Sequence, residues 1–337
     1  MDTPGPVRAT LTPMGRIALV LGSGGARGYA HIGVIQVLEE RGHEVAAVSG
    51  ASMGALIGGL HVAGKLGDFT VWALGLKQFD VLRMMDLTVR EPGLVRGDRI
   101  TRHLSGLLDG IQIEDSPIPY TAVATDLGSR REVWFQQGPM DVAIRASIAM
   151  PSFITPVVVG DRLLIDGGVV NPLPIEPTLS TPVDATVAVE LNGPSRAGSR
   201  NKDIAISTPY HASADEVDQE STGRDWLERF RMGAVDLFAQ TAWPQTAWAR
   251  KNVDPARSND LYRLGPAPKG LSYLDLVAQS VDMMGSMIAR YRSASNPPDV
   301  AIQIPHDAAR VSEFHRASGM ITLGRKLAIE ALDRAGL

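Results

Sequence analysis

The chain has 337 residues, is 44% hydrophobic and 21% charged, and carries a net charge of −4. This is the balance of a folded globular protein, without the strongly basic face expected of a nucleic-acid binder. It contains no cysteine, which excludes disulfide frameworks, thiol nucleophiles and cysteine-held metal sites, so a covalent nucleophile must be a hydroxyl, amine, imidazole or carboxylate.

Residues 1–14 lack the apolar stretch of a secretory signal and read as a short mobile tail. Arg16–Leu21 (RIALVL) is a short apolar run ending in glycines, as in a buried strand, and Ala26–Arg41 follows as a helix stopped by Gly42. Val45–Gly64 holds no formal charge, and Gly50, Gly54 and Gly58 repeat every four residues. Length alone would allow a membrane span, but the Ser-Gly-Ala-Ser centre suits a turn, so the segment reads as a strand at 45–48 and a small-residue helix at 53–64.

Helices are expected around 69–79 and 99–108, strands at 120–125 and 132–135, and a helix over 141–149 that ends before Pro151. Val157–Val159 and Arg162–Ile165, joined by Gly160-Asp161, read as a hairpin, and Ala185–Leu191 as a further buried strand. Strands alternating with helices predict an α/β architecture with a largely parallel central sheet. Asn192–Gly223 is rich in Gly, Pro and Ser and reads as a loop or a lid; 224–337 reads as mainly helical. There Leu274, Val277, Val281, Met284, Ile288 and Tyr291 recur at three- and four-residue spacing, which predicts a core-facing stripe. Met320, Leu323, Leu327 and Ala331 mark the last helix, with Gly336 beyond its end.

Two glycine-rich turns carry the chemistry. Gly50-Ala51-Ser52-Met53-Gly54 is a GxSxG sequence between a predicted strand and a predicted helix, where small flanking residues allow a sharp turn that projects the serine hydroxyl at a helix N-terminus. Ser52 is therefore the candidate nucleophile. Gly22–Gly28 (GSGGARG) has neither GxGxxG spacing, because Arg27 stands where glycine is needed, nor the phosphate-loop sequence. It can be a plain strand–helix turn, or its backbone N–H groups can hold an anion such as the oxygen of an acyl tetrahedral intermediate.

Seven histidines are present, none paired at metal-ligand spacing, and His43-Glu44 does not continue into HExxH. The base candidate is Asp166, at a predicted strand end before two glycines, although such an aspartate can equally serve a turn.

The segments Gly22–Gly42 (GSGGARGYAHIGVIQVLEERG), Gly50–Leu56 (GASMGAL) and Asp166–Pro174 (DGGVVNPLP) together resemble the patatin-like phospholipases, specifically the bacterial group similar to the esterase domain of neuropathy target esterase. Val123–Leu127, Arg145–Val157, Pro297–Pro305 and Glu313–Gly324 extend the likeness over nearly the whole chain. The resemblance implies a three-layer patatin-like hydrolase domain over 15–337 and a Ser52–Asp166 dyad. It also implies an oxyanion hole from the N–H groups of Gly24, Gly25 and Ala26. Arg27 would add positive charge near that turn, with Gly28 and Met53 in support. Ala51 departs slightly from the usual threonine or glycine. No metal or cofactor is implied.

The implied substrate is a lipid acyl ester, a phospholipid or lysophospholipid, attacked through an acyl-serine. The implied location is the cytoplasm, with peripheral contact at the inner membrane surface. Trp226, Phe230, Leu237, Trp243 and Trp248 could supply that contact or could pack inward. Two other readings stay open. One is a Ser–His–Asp esterase using His306 or His315; the other is a lipid- or partner-binding regulator without turnover.

Overall fold

The computed structural model describes residues 15–84, 97–195 and 273–337. The tail expected over 1–14, the part of the expected 192–223 loop or lid beyond Ser195, and the helical stretch expected over 224–272 with its tryptophans lie outside the described residues.

Five strands form the parallel part of one eight-stranded sheet: β1 (Arg16–Leu21), β2 (Glu44–Ala51), β3 (Tyr120–Asp126), β7 (Ala185–Gly193) and β8 (Val300–Pro305). Antiparallel strands β4 (Arg131–Phe135), β5 (Val157–Val159) and β6 (Arg162–Asp166) extend it beside β3. The order β5-β6-β3-β2-β1-β7-β8, with β4 also on β3, puts β1 at the centre. β1 pairs with β2 on one side and β7 on the other, so the connections diverge at its C-terminal end, where open α/β sheets hold their ligands.

Ile17, Leu19 and Leu21 point to the main core, shared with α1 (Ala30–Glu40), α2 (Met53–Val62), α5 (Asp98–Leu108) and α8 (Ala317–Ala335). Val20 and Ala188 point to the opposite face, covered by Leu173, Ile175 and Ala289 of α7 (Tyr273–Ser295). Three layers result. α1 and α8 cross closely enough that a Cβ on Gly33 would lie 2.1 Å from the Ile321 carbonyl oxygen, and one on Gly324 2.1 Å from that of Ala30.

The charge-free segment 45–64 is β2 running into α2, both buried. No helix among the described residues is long and apolar enough to cross a membrane.

Three sequence expectations need correction. The helix expected over 69–79 is two, α3 (Leu66–Gly75) and α4 (Gln78–Met84), because Leu76 turns to an extended conformation. Val300–Pro305 is a strand whose Val300, Ile302 and Ile304 alternate inward, a period-two signal inside a tail read as mainly helical. The stripe on α7 turns inward only in part: Val277, Val281 and Ile288 are half-buried, whereas Met284 is 55% and Tyr291 71% exposed, and the fully buried positions are Gly285 and Ala289.

Candidate active site

Sheet register brings the two candidate groups together. Along β3, Val123 pairs with Ala51 at the end of β2, and the next residue, Ala124, pairs with Asp166 at the end of β6. Ser52, one residue past Ala51, therefore meets Asp166 from across the chain. Its Oγ donates to Asp166 Oδ2 at 2.6 Å, with both side chains buried.

The turn at Ser52 is sharp because its flanks are bare. A Cβ on Gly50 would lie 2.4 Å from the Gly54 carbonyl, and one on Gly54 1.9 Å from the Leu21 carbonyl oxygen of β1. Ser52 itself takes φ 55°, ψ −123°, a conformation costing on the order of 1–3 kcal/mol for a residue with a Cβ. Ser147, the last residue of α6 (Met140–Ser147), supports it: its Oγ accepts the Ser52 N–H at 2.9 Å and donates to the Val123 carbonyl at 2.6 Å. Ser52 also stands at the N-terminal end of α2, whose dipole favours negative charge beside the hydroxyl.

Asp166 is held at four points. Its N–H donates to the Ala149 carbonyl, its own carbonyl accepts from Thr125 Oγ1, and Oδ1 accepts the Gly168 N–H at 2.7 Å while Oδ2 faces Ser52. Burial pushes its carboxyl up from 3.8 to about 6, and the hydrogen bonds from Ser52 and Gly168 pull against that rise. If Asp166 is the base, only its ionised form can work. On that reading kcat/KM falls about tenfold per pH unit below pH 6 and levels off above about pH 7. A rate profile flat down to pH 4.5 would mean that the carboxyl of the base is not raised, and would count against this account of Asp166.

The Gly22–Gly28 turn faces the same space. Ser23 N–H donates to the Pro172 carbonyl and Ala26 N–H to the Val311 carbonyl at 2.9 Å. Ala26 is therefore already engaged, leaving the N–H groups of Gly24 and Gly25, which make no hydrogen bond among the described residues. Gly25 has φ 57°, the left-handed region that favours glycine. A Cβ on Gly28 would come within 2.3 Å of Met53 Cβ, so these two residues pack the turn against the start of α2.

Arg27 differs from expectation. It is buried, and its guanidinium turns inward to Asp282, to the His306 carbonyl and to the Gly24 carbonyl, so its charge is spent within the fold. His31, which the motif reading left without a role, donates from Nε2 to the Gly22 carbonyl, and burial pushes its pKa down to about 4, keeping the ring neutral.

Ser52 opens into two cavities. One, of about 930 Å³ including its mouth, is lined largely by apolar side chains such as Met53, Leu56, Phe69, Trp72, Ile100 and Ile154. The smaller, about 400 Å³, holds Asp166, Asn192 and Asp282 with the glycine turn. Neither His306 nor His315 lines either cavity. His306 Nδ1 lies instead 3.2 Å from the Gly193 carbonyl oxygen. Among the described residues no group of three or more His, Asp or Glu could hold a metal ion.

A buried serine–aspartate pair at the strand ends of an α/β sheet, beside a glycine turn and an apolar cavity, is an arrangement that acyl-transfer enzymes can use. A patatin-like phospholipase family model matches residues 19–179. An NTE family protein of Mycobacterium tuberculosis H37Rv is 39% identical over 345 residues, 99% of this chain and 96% of that one. Patatin-like phospholipase domain-containing protein 6 of Mus musculus is 33% identical over 183 residues, 52% of this chain and 13% of that one. The structure of VipD from Legionella pneumophila aligns with a TM-score of 0.35 at 14% identity, over 67% of this chain and 54% of that one. The chain belongs to the patatin-like phospholipase family and, within it, to the NTE family: it is a lipid acyl hydrolase.

Proposed function

We propose that the protein hydrolyses an acyl ester of a phospholipid or lysophospholipid through a Ser52–Asp166 dyad. The 2.6 Å hydrogen bond from Ser52 Oγ to the buried Asp166 carboxylate carries this reading. As Ser52 Oγ attacks the ester carbonyl carbon, Asp166 takes the hydroxyl proton, and the oxygen that becomes negative is met by the N–H groups of Gly24 and Gly25. Collapse expels the alcohol, which leaves with the proton from Asp166, and Ser52 holds the acyl group. Water gives a proton to Asp166 and its hydroxyl to the acyl carbon, and the fatty acid departs as Ser52 Oγ recovers the proton. No histidine is needed for any step, and the positions of His306 and His315 favour the dyad over the triad.

The apolar cavity suits the acyl chain, since its walls offer little besides carbon. Ile100 of α5 lines it. Ile100→Trp should lower the ratio of kcat/KM for hexadecanoyl over butanoyl esters about tenfold, because each methylene denied burial forfeits about 0.8 kcal/mol. An unchanged ratio would place the chain elsewhere. Peripheral membrane contact fits a lipid substrate, and liposome co-sedimentation tests it. Hydrolysis of a panel of triacylglycerol, phospholipid, lysophospholipid and p-nitrophenyl esters by the wild type and the Ser52→Ala variant tests the main reading. Turnover of none of them would overturn it.

A further inference from the structure

Arg27 is only 2% exposed, yet all three of its nitrogens are engaged. Nε donates to the Gly24 carbonyl at 3.2 Å, Nη1 to the His306 carbonyl at the end of β8 at 2.7 Å, and Nη2 to Asp282 Oδ2 of α7 at 2.5 Å. A guanidinium buried this deeply is costly unless an opposite charge meets it, and Asp282 is the carboxylate that does so.

The contact with Gly24 matters for the reaction. The Gly24 carbonyl and the Gly25 N–H belong to one planar trans peptide, so they point in opposite directions and move as one body. Pinning the carbonyl to Arg27 on one side fixes where the N–H aims on the other. Glycine has the widest choice of backbone conformation, so a turn with Gly24 and Gly25 in succession needs an outside anchor to hold one peptide orientation.

We propose that Asp282 is a positioning residue for the oxyanion hole: it holds the Arg27 guanidinium, which holds the Gly24 carbonyl and so aims the Gly25 N–H. This rests on the reading of Gly25 as an oxyanion donor. Asp282 lies on α7, far along the chain from the motifs, and joins the site only through the fold.

The test uses the full chain with Asp282→Asn, read by kcat, KM and the rate of labelling by a fluorophosphonate probe, which develops the same oxyanion. The expected result is a 10- to 50-fold fall in kcat, a parallel fall in labelling rate, a KM changed less than threefold, and partial recovery in Asp282→Glu. A packing role would lower thermal stability without this split. Retained kcat, or a rise in KM alone, would overturn the proposal.

If Asp282→Asn does not fold, the double variant Arg27→Met/Asp282→Leu decides. It replaces the ion pair by apolar groups, which folds commonly tolerate, while removing the pull on Gly24. Wild-type turnover in that variant would also overturn the proposal, and a matching loss would support it. A Gly25→Ala variant that keeps full activity would instead bring down the oxyanion reading itself.

Discussion

Ser52→Ala and Asp166→Asn are each expected to lower kcat for ester hydrolysis by about 10⁴-fold or more in a protein that stays folded. Alanine has no oxygen to attack with, and an asparagine amide cannot take the serine proton. The two variants should part company in stability. Raising a fully buried carboxyl from 3.8 to about 6 means that holding it ionised costs on the order of 3 kcal/mol above pH 6. The sign follows from proton binding: between these two values the folded state binds more protons than the unfolded, so stability falls as pH rises from 4 to 6. Asparagine is never charged, and it can still accept from the Gly168 N–H and donate to Ser52 Oγ. Asp166→Asn should therefore be inactive yet several degrees higher in Tm than the wild type at pH 8, and no higher at pH 4. Ser52→Ala keeps a Cβ at φ 55° and gains no such relief. Near-normal turnover by either variant would sink the dyad. Lost activity with lowered Tm in Asp166→Asn would instead mean that the carboxylate stabilises the fold.

The local parts of this site were legible in the sequence, and its assembly was not. GxSxG between an apolar run and a helix pattern located Ser52, because small flanks and a strand–helix turn are properties of a few consecutive residues. Asp166 was visible as an aspartate at a strand end before two glycines. Periodicity does not show that these two meet. Their meeting depends on β3 pairing with β2 up to Val123 and with β6 from Ala124 on, a register set by contacts among distant segments.

Where the structure departs from the sequence expectation, the origin is the same. Arg27 and Ala26 sit in the glycine turn as expected, but the fate of a guanidinium or an N–H depends on what faces it. Here that is Asp282, 255 positions away, and Val311. α7 shows spacing succeeding only in part. Its apolar stripe leaves Val277, Val281 and Ile288 half-buried and Met284 and Tyr291 exposed, because the face a helix buries is set by what packs on it, here around Gly285 and Ala289. Ser147 had no signal beyond lying in a family-like segment, since a serine that bridges two backbone groups looks in sequence like any other serine.

Gly25→Ala should lower kcat about 10²- to 10³-fold with little change in KM, the loss typical of a disturbed oxyanion donor. Two effects act at once. Alanine at φ 57° costs on the order of 1 kcal/mol against glycine. The added Cβ would also lie 2.4 Å from Val311 Cγ1 and 2.6 Å from the Val311 carbonyl oxygen. That same oxygen accepts the Ala26 N–H, so relieving the clash must rotate the peptide that carries the Gly25 N–H or break the neighbouring bond. Trimming Val311 to alanine removes only the methyl conflict, and the double variant should recover part of the rate at most. Gly42 provides the control. It is also left-handed, at φ 74°, but a Cβ there meets nothing within 4 Å. Gly42→Ala should therefore pay the same conformational penalty in Tm while leaving kcat and KM as in the wild type. If both variants lose stability alike and neither loses turnover, the glycine turn does not hold the oxyanion. If only Gly25→Ala is slow, the loss belongs to the direction of one N–H and not to the strain of a left-handed alanine.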